Sequence, residues 1–245
     1  MTTRRRGYRP TGDSLDPRVL LSVGGLSPAQ IRQAYAETIN FNVGGRTYAA
    51  TGAGQTIAII VAEKDPNIWN DLATFDSANN LPAPLSFNVV AYGGTPANST
   101  SSNWGVETAL DVESAHAIAP GANILLIEGF GTNYSAVDWA RQQAGVSVIS
   151  MSWGGLEQGP SSADSYFTSL PGHNVTFVAS SGDYGDFAPV GSSGQPQFGV
   201  LWPASLPTVL SVGGTTLTAG PNGNYLGETA WSGSGGGYSR YYGEP

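Results

Sequence analysis

Thr56-Ile57-Ala58-Ile59-Ile60-Val61-Ala62 decides the fold: every position after the first is apolar, and three isoleucines and a valine make the run β-branched. Successive side chains of a strand point to opposite sides, so a run apolar at odd and even positions alike is a strand covered on both faces. Similar runs follow at Phe87–Tyr92, Asn123–Ile127, Val146–Ser152, Val175–Ala179 and Thr208–Val212. Helical patterns near Asn67–Asn79, Val106–Ile118, Tyr134–Ala144 and Ala163–Leu170 separate the earlier runs. Doubly apolar strands alternating with helices predict an α/β fold, a doubly wound and mostly parallel sheet with helices on both faces. Upstream, Ser27-Pro28 reads as the start of a short helix, with Ser27 as N-cap and Pro28 at the first helical position. Its Ile31, Ala34 and Tyr35 share one face. The Gly/Ser-rich stretches 93–103, 185–199 and 232–239 read as surface loops. The chain thus divides into a basic tail, 1–26, and a folded part, 27–245.

Composition narrows the function classes. The net charge is −8, and Arg4, Arg5, Arg6, Arg9 and Arg18 supply half of the 10 basic residues, so the body beyond Arg18 is strongly acidic. Such a surface repels phosphate backbones and anionic lipid, which argues against a nucleic-acid partner. Cysteine is absent, which excludes disulfides, thiolate catalysis and Cys-zinc sites. No apolar run approaches the roughly 18 residues that span a bilayer. Only 11% of residues are charged, a proportion common in exported hydrolases, and Leu15-Asp16-Pro17-Arg18-Val19-Leu20-Leu21-Ser22 resembles a short N-terminal element of exported or surface proteins. A secreted or cell-surface location is the expectation, with a plain basic tail as the alternative reading of 1–26.

In parallel sheets of this kind ligands bind beyond the carboxyl ends of the strands. The first strand runs into Glu63-Lys64-Asp65-Pro66-Asn67 rather than a glycine-rich turn, so a nucleotide fingerprint is missing. Three other stretches hold chemistry. In Trp104-Gly105-Val106-Glu107-Thr108-Ala109-Leu110-Asp111, Glu107 and Asp111 stand one helical turn apart with β-carbons about 5–6 Å from each other. Two carboxylates so placed resist double ionisation and could act as a general base and its partner; the same spacing also occurs on ordinary solvated helix faces. His116 points away from that pair, and with His173 the only other histidine there is little material for a metal site; His116 reads as a packed or capping residue. The second stretch, Val148-Ile149-Ser150-Met151-Ser152-Trp153-Gly154-Gly155, is a buried strand emptying into a turn. The third, Phe177-Val178-Ala179-Ser180-Ser181-Gly182-Asp183, ends in a tight turn. Asp183 there is either a turn or capping residue or, if protonated, a donor to a substrate oxygen.

Together these stretches resemble the sedolisins, or serine-carboxyl peptidases, acid-acting relatives of subtilisin. The resemblance runs from about Leu26 to Pro245 and includes Glu107–Pro120, Ser152–Gly154, Ser180–Asp183, Ser211-Val212-Gly213-Gly214-Thr215 and the loop Trp231–Ser239. It implies a subtilisin-like sheet and peptide-bond hydrolysis at acid pH. Glu107 would be the base that deprotonates a serine, Asp111 its orienting partner, and Asp183 the stabiliser of the oxyanion. Ser152, Trp153 and Gly154 would line the cleft and pair with the backbone of a polypeptide substrate.

The chain departs from that pattern in four respects. The family's nucleophile sits in a Gly-Thr-Ser-Ala-like turn, which this sequence does not contain. The calcium that the resemblance implies would have its ligands beyond Pro245, so no metal ligand is assigned. The family's large prodomain has no counterpart in the 26-residue tail. Val61 stands where many members carry an acid at the end of the first strand. The expectation is therefore a subtilisin-like domain lacking its C-terminal part, inactive as this chain alone. The alternatives are a non-catalytic peptide-binding pseudoenzyme and a surface protein on the same scaffold.

Overall fold

A computed structural model describes residues 26–35, 40–99, 104–129, 134–188 and 197–243. The tail with its export-like element, and the centre of the 185–199 loop, lie outside the described residues.

The chain order is α1 (Pro28–Ala34), β1 (Asn40–Val43), β2 (Arg46–Ala49), β3 (Thr56–Val61), α2 (Ile68–Asn79), β4 (Phe87–Ala91), α3 (Trp104–Ile118), β5 (Asn123–Glu128), α4 (Ser135–Ala140), β6 (Val146–Met151) and β7 (Gly155–Leu156). It continues through a 3-10 helix (Ser162–Phe167) to β8 (Thr176–Ser180), β9 (Phe187–Ala188), β10 (Gln197–Phe198), β11 (Leu201–Trp202), β12 (Val209–Val212), β13 (Thr215–Ala219) and β14 (Tyr225–Ala230). The six apolar runs read from the sequence become one six-stranded sheet in the order β12-β8-β6-β3-β5-β4. All of its pairings are parallel.

The doubly apolar character of the strands is resolved by the two layers they separate. Ile59 and Val61 of β3 face Ile68 and Leu72 of α2 and Ala109 and Val112 of α3. Ala58 and Ile60 face the opposite cluster, with Ala136, Val137 and Ala140 of α4 and Phe167. Ile124 and Leu126 against Leu125 and Ile127 divide β5 in the same way. α1 opens with the expected cap, as a reciprocal pair: Ser27 Oγ accepts from the Gln30 amide at 3.3 Å, and the Ser27 amide donates to Gln30 Oε1 at 2.8 Å. The Arg32 side chain then donates to the Ala117 carbonyl, docking α1 at the end of α3.

Two differences from the sequence reading have local causes. The segment expected as a helix over Ala163–Leu170 is a 3-10 helix that ends at Phe167, where Thr168 turns extended. The Ser161 amide donates to Asp164 Oδ2 at 3.0 Å and pins its first turn, and Pro171 denies any continuation. The β1–β2 and β13–β14 hairpins, absent from the sequence reading, form two-stranded antiparallel pairs separate from the sheet.

Candidate active site

From β3 the chain crosses to β4 and β5 on one side of the sheet, and from β6 to β8 and β12 on the other. The reversal falls between β3 and β6, which makes the carboxyl ends of these two strands the crevice where such sheets take ligands. Ser152, Trp153 and Gly154 follow β6 directly into that crevice. Trp153 turns its side chain inward: its indole donates to the Ile60 carbonyl at 2.9 Å and its ring stacks on Tyr134 with centroids 5.8 Å apart. The end of β6 is thereby fixed to β3. Gly154 lies where a Cβ would sit 2.9 Å from the Trp202 carbonyl, so only glycine lets β11 approach so closely.

α3 delivers the carboxylate pair. Gly105 in its first turn would place a Cβ 2.8 Å from Ser99 Oγ, so its absence lets the helix start pack onto the loop after β4. Ala109 and Val112 bury one stripe against β3, which leaves Glu107 and Asp111 half-buried toward the crevice. Ser152 Oγ donates to Asp111 Oδ1 at 2.7 Å. Among the described residues Asp111 Oδ2 has no hydrogen-bond partner. Burial pushes the Asp111 carboxyl up to about 7; the Ser152 bond opposes the rise and the Glu107 charge adds to it. Glu107 is also raised, first by burial and further by the charge of Asp183, with the Ser152 bond opposing.

Asp183 stands exposed after β8 on a turn that the glycine-rich loop holds in place. Gly182 adopts φ +113, the Gly235 amide donates to the Gly182 carbonyl at 2.7 Å, and Ser181 Oγ donates to the Gly235 carbonyl at 2.8 Å. Ser234 Oγ accepts from the Gly214 amide at 2.9 Å, tying the same loop to the end of β12. The structure therefore gathers the five stretches that carried the resemblance: α3, the end of β6, the turn after β8, the end of β12 and the 231–239 loop.

Two acids went unnoticed in the sequence. Glu128 ends β5 as the register partner of Val61, is buried, and accepts from the Asp65 amide at 3.0 Å; burial raises its carboxyl. The buried acid at this edge of the crevice thus stands one strand away from Val61. Its place at the end of an apolar run, Asn123–Ile127, was the available signal. Glu113, fully buried on α3 and facing α2, is the other. His116 is packed, its Nε2 2.7 Å from the Pro82 carbonyl and 3.3 Å from Asp76 Oδ1. Among the described residues no three acidic or histidine side chains are arranged to hold a metal, and the calcium implied by the resemblance finds no ligand set there.

A parallel sheet of this order with acidic groups gathered past its central strands defines a subtilisin-like protein, and the chain belongs to the subtilase family, whose model matches residues 111–239. Sedolisin from Pseudomonas sp. (strain 101) is 31% identical over 225 residues, covering 80% of this chain and 38% of that protein. Kumamolisin from Bacillus sp. (strain MN-32) is 32% identical over 211 residues, covering 78% of this chain and 37% of that one. Among solved structures, Pseudomonas sedolisin, a serine-carboxyl proteinase complexed with two molecules of pseudo-iodotyrostatin, superposes with a TM-score of 0.71 at 29% identity. That match covers 89% of this chain and 64% of the other. Within the subtilases, these likenesses place the chain in the sedolisin family. It spans about two fifths of the length of the curated relatives it matches.

Proposed function

We propose that the crevice is a serine-carboxyl peptidase site that takes an extended polypeptide at acid pH. Glu107 is the general base, Asp111 orients it, Asp183 donates to the oxyanion of the tetrahedral intermediate, and Ser152–Gly154 offers backbone to the substrate. The observation that carries this reading is the Ser152 Oγ bond to Asp111 Oδ1 at 2.7 Å, which holds the α3 carboxylate pair at the end of β6, the strand paired in parallel with β8 and so beside the turn of Asp183. Burial raises the carboxyls of Glu107 and Asp111, as suits a pair that shares a proton in acid. One donor to an oxyanion contributes about 2.7–4 kcal/mol in related chemistry. Export from the cell fits the same reading, as the charge content is low and no helix among the described residues is long and apolar enough to cross a membrane.

Ser152 and Ser181 are both engaged in structural hydrogen bonds, the first to Asp111 and the second to Gly235. Neither is placed on a strand-to-helix elbow where a nucleophile gains access to a carbonyl. On this reading the 245-residue chain alone binds peptide without cleaving it. The test is incubation of the pure chain with a fluorescent denatured protein at pH 4, reading binding by anisotropy and cleavage by mass spectrometry. Binding that weakens in Asp183→Asn without cleavage is the expected result. Cleavage lost in Glu107→Gln would overturn the non-cleaving part, and absence of binding at any pH would overturn the site.

A further inference from the structure

Past the crevice, the two segments that bound it enclose a second space. Ser152–Gly154 runs on into β7, and the turn of Asp183 runs on into β9, which pairs with β10. Between them lies a cavity of about 390 Å3, with Leu156 and Gln158 on one wall, Gln197 and Phe198 on the other, and Arg240 and Tyr241 completing it. That volume is within the range of ligand sites, about 300–1,000 Å3. The way from the crevice is open, since a Cβ at Gly155 would meet nothing within 4 Å. Gly199 adopts φ +153, and a Cβ there would sit 2.6 Å from Leu156 Cδ1, so glycine lets the end of β10 close on β7.

Arg240 gives the cavity its chemistry. Among the described residues its guanidinium pairs with no carboxylate, unlike that of Arg141, which pairs with Asp138. Its Cζ stands over the exposed Phe198 ring, 5.8 Å from the centroid, a contact that leaves the N–H donors at the edge of the guanidinium free. The acid lining the same space, Glu157, is buried and both its oxygens are engaged. Ser239 Oγ donates to its Oε2 at 2.7 Å and the Arg240 amide to its Oε1 at 2.8 Å. The second of these bonds fixes the Arg240 backbone whatever side chain it carries. Asp186, just before β9, is exposed and does not line the cavity.

We infer that this cavity is a specificity subsite for an acidic side chain of the bound polypeptide, whose carboxylate pairs with Arg240 and accepts from the Gln158 and Gln197 amides. The inference rests on the reading of Ser152–Gly154 as the segment that pairs with substrate, and it names the substrates that segment favours. A lysine or arginine of the substrate would face the unpaired guanidinium, and a neutral side chain would leave it unmatched. Leu156 and Gln158 lie two and four residues beyond Gly154, about 7–13 Å along an extended chain. The acidic residue is thus two to four positions from the one beside Gly154.

The experiment binds fluorescent serine–alanine peptides, carrying one Glu, Gln or Lys at each position in turn, to the 245-residue chain at pH 5.5, with anisotropy as the readout. At one position Glu should bind about fivefold to tenfold tighter than Gln, as a partly exposed charged pair would give, and Lys more weakly than both. Arg240→Gln should erase the preference, Arg240→Lys should keep part of it, and Arg240→Glu should turn it toward Lys. At pH 3, below the ordinary glutamate pKa of about 4.3, the preference should vanish because the peptide carboxyl is neutral while Arg240 keeps its charge. Circular dichroism checks the fold of each variant; where one does not fold, the other two are read. A Glu preference that survives in folded Arg240→Gln, or no preference at any position in the wild type, would overturn the inference. If no peptide binds at any pH, the proposed function fails, and the subsite is read by itself with N-acetylglutamate amide at millimolar concentration. That probe should shift the Gln158 and Gln197 side-chain amide signals in 15N NMR more than N-acetylglutamine amide does. Equal shifts, or none, would overturn the subsite as well.

Discussion

Ser181 Oγ donates to the Gly235 carbonyl at 2.8 Å, and this contact seats the glycine-rich loop on the turn that presents Asp183. The seating is possible because residue 235 has no side chain: a Cβ there would collide with the Ser181 carbonyl oxygen and lie 2.9 Å from the Gly182 Cα. Backbone cannot yield as the tip of a flexible side chain does. Gly235→Ala is therefore expected to push the loop off the turn and to lower stability by about 1–3 kcal/mol, the usual cost of overpacking. Peptide affinity at pH 4 should fall with it, since Asp183 loses its support. Urea unfolding and anisotropy together check this, and unchanged affinity with lowered stability would detach Asp183 from binding.

Trp153 is the brace between β3 and β6. Its indole N–H reaches the Ile60 carbonyl at 2.9 Å, and Trp153 is itself buried. Trp153→Phe keeps an aromatic ring and removes the donor, leaving a buried carbonyl short of a partner. A loss of about 1–3 kcal/mol is expected in urea unfolding. The crevice opens where these strands end, so amide exchange should quicken at Ser152 and Gly154 before it does in β5.

The sheet was legible because its strands are apolar on both faces, a pattern that surface strands and helices do not share. β3 ends at Val61, one residue short of the run read from the sequence. The β1–β2 hairpin was missed although its turn is written as Gly44-Gly45, with φ +59 and +78, the left-handed pair that two-residue hairpins require. The flanking residues of β2 are all exposed, so no alternation of apolar and polar side chains drew the eye to it. At the site, spacing along one helix revealed Glu107 and Asp111. The partner of Asp111 could not be read: Ser152 lies 41 positions away, and only the crossover from α3 through β5 and α4 to β6 brings it near. Asp164 was equally silent, since its partners Trp202 and Tyr242 come from two other segments.

Asp164 is an instance where charge stabilises. Burial alone would raise its carboxyl, but hydrogen bonds from the Ser161 amide at 3.0 Å, Trp202 Nε1 at 3.0 Å and the Tyr242 hydroxyl at 3.0 Å outweigh that and lower it. A carboxyl depressed on folding contributes stability above its unfolded pKa and loses it as pH falls through the folded value. Asp164→Asn should accordingly cost about 1.5–3 kcal/mol at neutral pH, the range for bonds to a charged group. The difference from wild type should shrink in strong acid. Urea unfolding at pH 7 and pH 2.5 measures both, and a difference that stayed constant with pH would show that packing, not charge, is what Asp164 supplies.

Glu113 sets the opposite slope. It is wholly buried on α3, both carboxyl oxygens lack hydrogen-bond partners among the described residues, and Asp71 and Asp76 of α2 and Asp65 ahead of it all add negative charge. Burial first, then those three charges, push its carboxyl from an ordinary 4.5 up to about 8. A carboxyl raised on folding stays neutral in the folded chain while the unfolded chain ionises, so its favourable contribution is full below about 4.5 and is lost as pH rises through about 8. Asp111, raised to about 7, acts in the same direction. The chain should therefore be most stable in mild acid and lose several kcal/mol toward pH 8, an order of magnitude set by about 1.4 kcal/mol for each tenfold change in proton affinity on folding. Glu113→Gln, neutral at every pH, should unfold in urea with nearly the wild-type midpoint at pH 4 and a higher one at pH 8. Parallel curves for the two proteins across that range would mean that Glu113 is not the group whose ionisation loosens α3 from α2.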